Sequence, residues 1–241
     1  MKELQKVMSK VRRAVQSYDM ISDGDKIAVG LSGGKDSIAL LYALWRMRDF
    51  FPKKYDVVGI SIDLGFKGCI GYFDPLSDFC LGYGIEYKIV KTEIASIVFD
   101  GRKESNPCSL CSKLRRGALS AESVAVGANK IALGHHLDDA VETFMMSLLY
   151  EGRIGCFSPV TWYEDRKISV IRPLIYTKES DIRSLVKKVC LPCLKSPCPE
   201  DGNTEREHMK EYLHSFDREH RGLYRRILGA MERGEVDGWQ T

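Results

Sequence analysis

Two glycines, a lysine, a carboxylate and two hydroxyls stand side by side in Ser32-Gly33-Gly34-Lys35-Asp36-Ser37. Glycines that follow a strand let several backbone N–H groups converge on phosphate oxygens, and a helix starting directly behind them adds a favourable potential for an anion. The apolar run Ile27-Ala28-Val29-Gly30-Leu31 supplies the strand; Ser37 to Met47, carrying Ile38, Leu40, Leu41, Leu44 and Trp45, reads as the helix. The pattern predicts a nucleotide phosphate grip built from Leu31, Ser32, Gly33, Gly34, Lys35, Asp36 and Ser37. Lys35 is placed to neutralise phosphate charge, and Asp36 to hold magnesium or orient the loop. The Walker spacing of four residues between glycine and Gly-Lys-Ser/Thr is missing, and Asp36 stands where that loop has its hydroxyl.

Two further groups carry chemistry. Gly134-His135-His136-Leu137-Asp138-Asp139-Ala140-Val141-Glu142-Thr143 follows the apolar run at 131–134. Either Asp138 or Asp139 is expected to cap a helix there, and the carboxylates of Asp138, Asp139 and Glu142, three and four residues apart, repel one another in a way that a cation relieves. Asp63 follows the strand Val57 to Ile62, which puts it at the sheet edge within reach of a nucleoside or magnesium, or in a surface turn. The eight cysteines include a pair, Cys108 and Cys111, in an expected loop just before a helix, and a late group of Cys190, Cys193 and Cys198. In a reducing compartment such clusters read as metal ligands or redox groups, so zinc held by Cys108, Cys111 and two of the late three is one reading. Cys69, Cys80 and Cys156 are expected to be buried small hydrophobes.

Short apolar strands at 27–31, 57–62, 87–90, 131–134 and 168–171 alternate with helical runs, including 111–126 and 139–150. That alternation predicts an α/β fold: a parallel five-stranded sheet covered by helices, with ligands at the carboxyl ends of its strands. Residues 1–20 are expected to form a basic amphipathic helix, 21–175 the α/β domain, and 176–241 a C-terminal helical appendage carrying the late cysteines. Its helices are expected at 178–189, 205–216 and 219–231, interrupted by a turn-rich stretch from Pro197 to Asn203.

Taken together, Ser32 to Ser37, Pro107-Cys108-Ser109-Leu110-Cys111-Ser112-Lys113-Leu114-Arg115-Arg116-Gly117, Gly134 to Thr143 and Ile171-Arg172-Pro173-Leu174 resemble the PP-loop ATP pyrophosphatases, and among them the tRNA 2-thiocytidine synthetase (TtcA) family. The first motif alone is shared with NAD, GMP and tRNA-lysidine synthetases. The resemblance implies an adenine nucleotide alpha hydrolase-like fold and an ATP-dependent sulfurtransferase that forms AMP and pyrophosphate. It implies adenylation of the C2 oxygen of a cytidine, at position 32 of the tRNA anticodon loop, followed by its replacement with sulfur. It implies ATP and Mg2+ as cofactors, with Gly134 and either His135 or His136 beside the nucleotide and Asp139 and Asp36 as magnesium or loop contacts. It also implies a [4Fe-4S] cluster on Cys108, Cys111 and Cys198, with Cys193 as the alternate third ligand. Lys35, Asp36, Asp139, Cys108 and Cys111 are then the catalytic set. Expected partners are tRNA and a sulfur donor such as a cysteine desulfurase, with a homodimer left open. The alternatives are a PP-loop amide or amidine synthetase with structural zinc, and an inactive nucleotide-binding scaffold.

Composition bounds this reading without deciding it. A hydrophobic share of 44% and a charged share of 29% are ordinary for a globular chain, so the 241 residues can bury a core. No apolar stretch is long enough for a membrane span and the N-terminus lacks a signal-peptide pattern, so a cytoplasmic protein is expected. Net charge is only +3, which places any nucleic-acid contact on local patches: Lys113, Arg115 and Arg116; Arg172; and an i, i+4 ridge of Arg221, Arg225 and Arg226.

Overall fold

Ile27, Ala28 and Val29 are fully buried because their strand, β1 (Asp25–Gly30), lies inside the sheet with helices over both of its faces. The computed structural model describes residues 2–101, 107–199 and 205–240. β1 pairs in parallel with β2 (Tyr55–Asp63) on one side and β4 (Lys130–Ala132) on the other. β3 (Glu86–Lys91) extends the sheet beyond β2, and β6 (Ile168–Ile171) extends it beyond β4, both in parallel. All five expected strands are thus present. A sixth, β5 (Val160–Tyr163), adds to β6 in antiparallel fashion and closes the order β3-β2-β1-β4-β6-β5. It is four residues long and half-exposed, too short to show an alternation in the sequence.

The chain leaves β1 outward to β2 and β3, then returns across β1 to β4. That reversal makes β1 and β4 the switch point of the sheet, where the loops after the two strands part and leave a crevice. Helix α2 (Lys35–Met47) follows β1, and α5 (Leu137–Tyr150) follows β4. α3 (Asp74–Tyr83) precedes β3, and α4 (Pro107–Ala125) precedes β4. α3 had no apolar stripe to announce it, since only Leu76 and Cys80 are buried.

The basic N-terminal helix α1 (Lys2–Ser17) buries Leu4, Val7, Val11, Ala14 and Val15. Its partners are α2 and α6 (Glu179–Val189), and Lys6 and Lys10 both reach Asp181 of α6 at 2.6 Å. α7 (Glu205–Glu219) and α8 (Leu223–Arg233) pack on α5. Their Met209, Leu213, Leu228 and Met231 share one hydrophobic core with α1, α2 and the sheet. α8 starts four residues later than expected because Gly222, with φ +89, ends the preceding turn in a left-handed conformation. Of the expected turn at 197–203, residues 200–203 lie outside the described residues.

Candidate functional site

The loop after β1 is held from several directions. Leu31 donates its N–H to the Ile60 carbonyl at 2.8 Å, and its own carbonyl accepts the Ser61 hydroxyl at 2.7 Å. Gly33 then turns with φ +87, a conformation open to glycine, and a Cβ there would lie 3.0 Å from that of Leu194. Ser37 Oγ donates to the Gly34 carbonyl at 2.9 Å and accepts the Ser32 N–H at 3.3 Å, which closes the loop on itself. Gly34 is the N-cap of α2 and offers no side chain to its first N–H groups, so those donors remain available to an anion.

Three helix starts meet beside this loop. α5 begins at Leu137 with His136 as its cap, not Asp138 or Asp139: His136 Nδ1 accepts the Asp139 N–H at 3.3 Å, and Asp139 Oδ2 accepts the His136 N–H at 2.8 Å. An imidazole nitrogen fills the role a carboxylate was expected to take, and Asp139 completes the reciprocal pair. Because Nδ1 accepts, a neutral His136 carries its proton on Nε2, 3.7 Å from Asp36 Oδ1. Asp138 caps a different helix, accepting the Glu179 N–H at the start of α6 at 2.9 Å. Gly134 lets the two segments approach: a Cβ there would sit 3.1 Å from the backbone of Asp36 and Ser37.

Lys35 Nζ lies 3.0 Å from Asp36 Oδ2 and 2.9 Å from Glu179 Oε1. Burial disfavours its charge, but Asp36 and Glu179 outweigh burial and raise its pKa. Glu179 also meets Arg183 at 2.8 Å and Lys210 at 3.3 Å; burial opposes its charge, yet Arg183 and Lys35 bring its pKa down to about 2. Asp36 Oδ1 is buried without a hydrogen-bond partner among the described residues, whereas Asp139 is engaged by His136 and lies 3.9 Å from Arg206. Glu142 behind it is buried, and burial together with Asp139 pushes its pKa up to about 8.

A cavity of about 590 Å³ opens at the carboxyl edge of β1 and runs between the sheet and α4. Its wall includes Leu31, Ser32 and Gly34 of the loop, Asp63, His135, Cys111 and Cys198. Gly33, Lys35, Asp36, Ser37, Gly134 and Asp139 are not part of that wall. Asp63 Oδ1 accepts the Gly65 N–H at 3.0 Å, and its carbonyl accepts the Thr92 N–H at 2.9 Å. His135 packs tilted against Phe157 with ring centroids 4.9 Å apart, and its Nδ1 is buried with no partner among the described residues. Burial and then Arg172 drive its pKa down to about 4, so it faces the cavity as a neutral imidazole.

The cysteines converge from distant parts of the chain. α4 starts at Pro107, which needs no N–H partner at a first helical position, so Cys108 and Cys111 lie within its first turns instead of in a preceding loop. The Cys111 thiol is raised by burial, against the pull of Arg115, and also by its neighbours Cys198 and Cys108. Cys108 and Cys198 thus lie within electrostatic reach of Cys111, with Cys111 and Cys198 on the cavity wall and Cys108 exposed outside it, and the three free thiols are a donor set suited to iron or zinc. Among the described residues, no three metal-donor side chains are drawn together to ligand spacing. Cys193 is exposed and lies beside Asp36 and Lys35. Cys190 is also exposed, at the left-handed end of α6. Cys80 is buried and Cys156 half-buried, each pushed by burial up to about 12, but Cys69 is half-exposed and lines the cavity.

The basic patches separate. Arg115 and Arg116 both line the cavity although they are consecutive on α4. Arg172 is buried, not a surface contact: it donates to the Ser158 carbonyl at 2.6 Å and lies 5.1 Å from the Phe157 ring. The ridge of Arg221, Arg225 and Arg226 does not form, because Arg221 lies outside α8 and Arg226 donates to the carbonyls of His220 and Arg221. Glu179, Arg206 and Leu194 had no distinguishing signal in the sequence; an acid in a helix's first turn, as at Glu179, is common to many helices.

A family model described as PP-loop domain matches residues 3–214. The tRNA-cytidine(32) 2-sulfurtransferase of Saccharophagus degradans is 35% identical over 96% of this chain and 76% of its own length. The chain belongs to the PP-loop family, on its tRNA 2-thiocytidine synthetase branch. The Haemophilus influenzae member of that branch is 38% identical over 94% of this chain and 74% of its own. Among solved structures, the U34-tRNA thiolase NcsA from Methanococcus maripaludis with its [4Fe-4S] cluster superposes with a TM-score of 0.77, at 28% identity, covering 96% of this chain and 78% of that one. In this PP-loop protein no helix among the described residues is long and apolar enough to cross a membrane.

Proposed function

We propose that this chain is an ATP-dependent tRNA sulfurtransferase that converts the cytidine at position 32 of the anticodon loop to 2-thiocytidine. The observation that carries the reading is one cavity whose wall holds both the phosphate loop, at Ser32 and Gly34, and the thiols of Cys111 and Cys198. A pyrimidine C2 oxygen is a poor leaving group. The first step therefore joins that oxygen to the α-phosphorus of ATP and breaks the α–β bond, with pyrophosphate departing. Backbone N–H groups of the loop and the uncapped start of α2 stabilise charge on the departing phosphates, and Lys35 adds a fixed cation behind them. Asp36 is the magnesium contact the geometry favours, through its free buried oxygen, with Asp139 a second-best donor. In the second step a sulfur nucleophile adds at C2 and AMP leaves with the oxygen.

Cys108, Cys111 and Cys198 would hold a [4Fe-4S] cluster, which supplies an iron able to carry sulfide at the cavity wall. His135, neutral and packed against Phe157, lines the cavity as a proton acceptor or donor at an Nδ1 with no partner among the described residues. Arg115 and Arg116 meet phosphates of an anticodon loop whose unpaired base leaves its stack at low cost. tRNA and a sulfur donor such as a cysteine desulfurase are the partners of this reading.

The test is anaerobic reconstitution followed by incubation with ATP, Mg2+, sulfide and tRNA. Nucleoside mass spectrometry is expected to show 2-thiocytidine with matching AMP and pyrophosphate. Stoichiometric zinc without iron, together with an amide or amidine product from ammonia, would overturn the reading in favour of a PP-loop synthetase.

A further inference from the structure

The segment that carries the late cysteines is fastened to the nucleotide loop. α6 ends at Cys190 in a left-handed conformation, and Leu191 turns back into the core, donating its N–H to the Val186 carbonyl at 3.1 Å. Three residues on, the Leu194 N–H donates to the Gly33 carbonyl at 2.9 Å. The same two residues touch through their side faces, since a Cβ on Gly33 would meet Leu194 Cβ at 3.0 Å and Cδ1 at 3.1 Å. Leu194, Ser196, Pro197 and Cys198 then continue as cavity wall. A backbone hydrogen bond and a close contact therefore pin this strap at one point, between Cys193 and Cys198.

The carbonyl of Gly33 and the N–H of Gly34 belong to one planar trans peptide unit and point in opposite directions. By holding that carbonyl on the strap side, Leu194 turns the Gly34 N–H into the loop, where it donates to Ser32 Oγ at 3.3 Å; Gly34 itself lines the cavity. That hydrogen bond fixes the entry to α2, whose uncapped N–H groups are the donors a phosphate would use. We infer that Leu194 is a positioning residue of the phosphate loop, and that through it the nucleotide loop and the Cys198 segment take up their ligands as one coupled unit. The identity of the two ligands rests on the proposed function; the coupling itself rests on the Leu194–Gly33 contact. Linkage makes the effect reciprocal: nucleotide on the loop orders the strap, and ligation at Cys198 sharpens the nucleotide site by the same factor, on the order of 5- to 20-fold.

The test uses the full chain under anaerobic conditions. Amide hydrogen exchange of residues 191–198 is measured in iron-free protein with and without ATP, and ATP affinity is measured by calorimetry in iron-free and iron–sulfur-reconstituted protein. The variants are Leu194→Pro, which removes the N–H, and Leu194→Ala, which keeps it. ATP is expected to slow exchange across 191–198 without any iron present. Leu194→Pro is expected to weaken ATP binding about 10-fold and to erase the difference between iron-free and reconstituted protein, with a thermal midpoint close to wild type; Leu194→Ala keeps most of the affinity. Unchanged exchange at 191–198, or wild-type ATP affinity in a folded Leu194→Pro, overturns the inference. If Leu194→Pro does not fold, the exchange measurement on the wild type decides. A chain that binds no iron defeats the cluster assignment, while the iron-free measurements still decide the role of Leu194.

Discussion

Replacing Glu179 by glutamine tests whether the buried carboxylate at the start of α6 holds the lysine of the phosphate loop in place. Three cations, Lys35 at 2.9 Å, Arg183 at 2.8 Å and Lys210 at 3.3 Å, surround a carboxylate only 8% exposed. Arg183 and Lys35, working against burial, bring its pKa from the ordinary 4.5 to about 2. At about 1.4 kcal/mol for each tenfold change, that difference is worth about 3 kcal/mol of stability at neutral pH. The sign is that of a depressed carboxylate: the contribution is present above pH 4.5 and is lost as the pH falls through about 2. Glu179→Gln is therefore expected to lower the unfolding free energy by about 3 kcal/mol at pH 7 and by only about 1.4 kcal/mol at pH 3. Urea denaturation followed by circular dichroism at both pH values measures the two gaps. A gap under about 0.5 kcal/mol at pH 7, the range of an ordinary surface change, or a gap of equal size at pH 3, would refute the reasoning.

Lys35→Ala removes a cation behind the phosphate loop and is expected to weaken ATP binding by about 10- to 100-fold, the range for a charged hydrogen bond; calorimetry reads it, and unchanged affinity removes Lys35 from the grip. Replacing Cys108, Cys111 or Cys198 by alanine should each abolish iron retention after anaerobic reconstitution, while Cys193→Ala keeps it. Iron lost with Cys193 and kept without Cys198 would exchange their roles. Gly59→Ala places a methyl 2.9 Å from Leu31 and 3.1 Å from Tyr87 under the phosphate loop. It is expected to cost about 1–3 kcal/mol in urea denaturation, the range for an overpacked core, and a fully wild-type midpoint would show that the strand relaxes freely.

The parallel strands were legible because a strand buried on both faces reads as an unbroken apolar run, as in Ile27 to Val29 and Val57 to Ile60. The phosphate loop was legible because its glycines and charges are contiguous. What depended on distant partners was not. Lys35 finds Glu179, and Cys111 finds Cys198, only once the sheet has brought α2, α4 and the strap after α6 to one edge. One helix start misled: carboxylates at 138 and 139 looked like its caps, but the cap is His136. Charge was the weakest guide. Arg172 resembles a surface cation in sequence yet is buried among carbonyls and an aromatic ring, and Gly222 breaks the helix on which the late arginine ridge depended.

The short antiparallel strand β5 has a consequence for the chain's behaviour at high concentration. Without it, β6 would end the sheet as an apolar edge of free N–H and carbonyl groups, open to pairing with another molecule. β5 takes up that edge with four residues and leads into the charged turn Glu164-Asp165-Arg166-Lys167. At the opposite end β3 carries Glu86, Lys88 and Lys91 along its length, with Lys26 paired to Glu86 at 2.9 Å. Both borders of an otherwise apolar parallel sheet are thus poor templates for a seventh strand, which protects the protein from edge-to-edge aggregation while it folds.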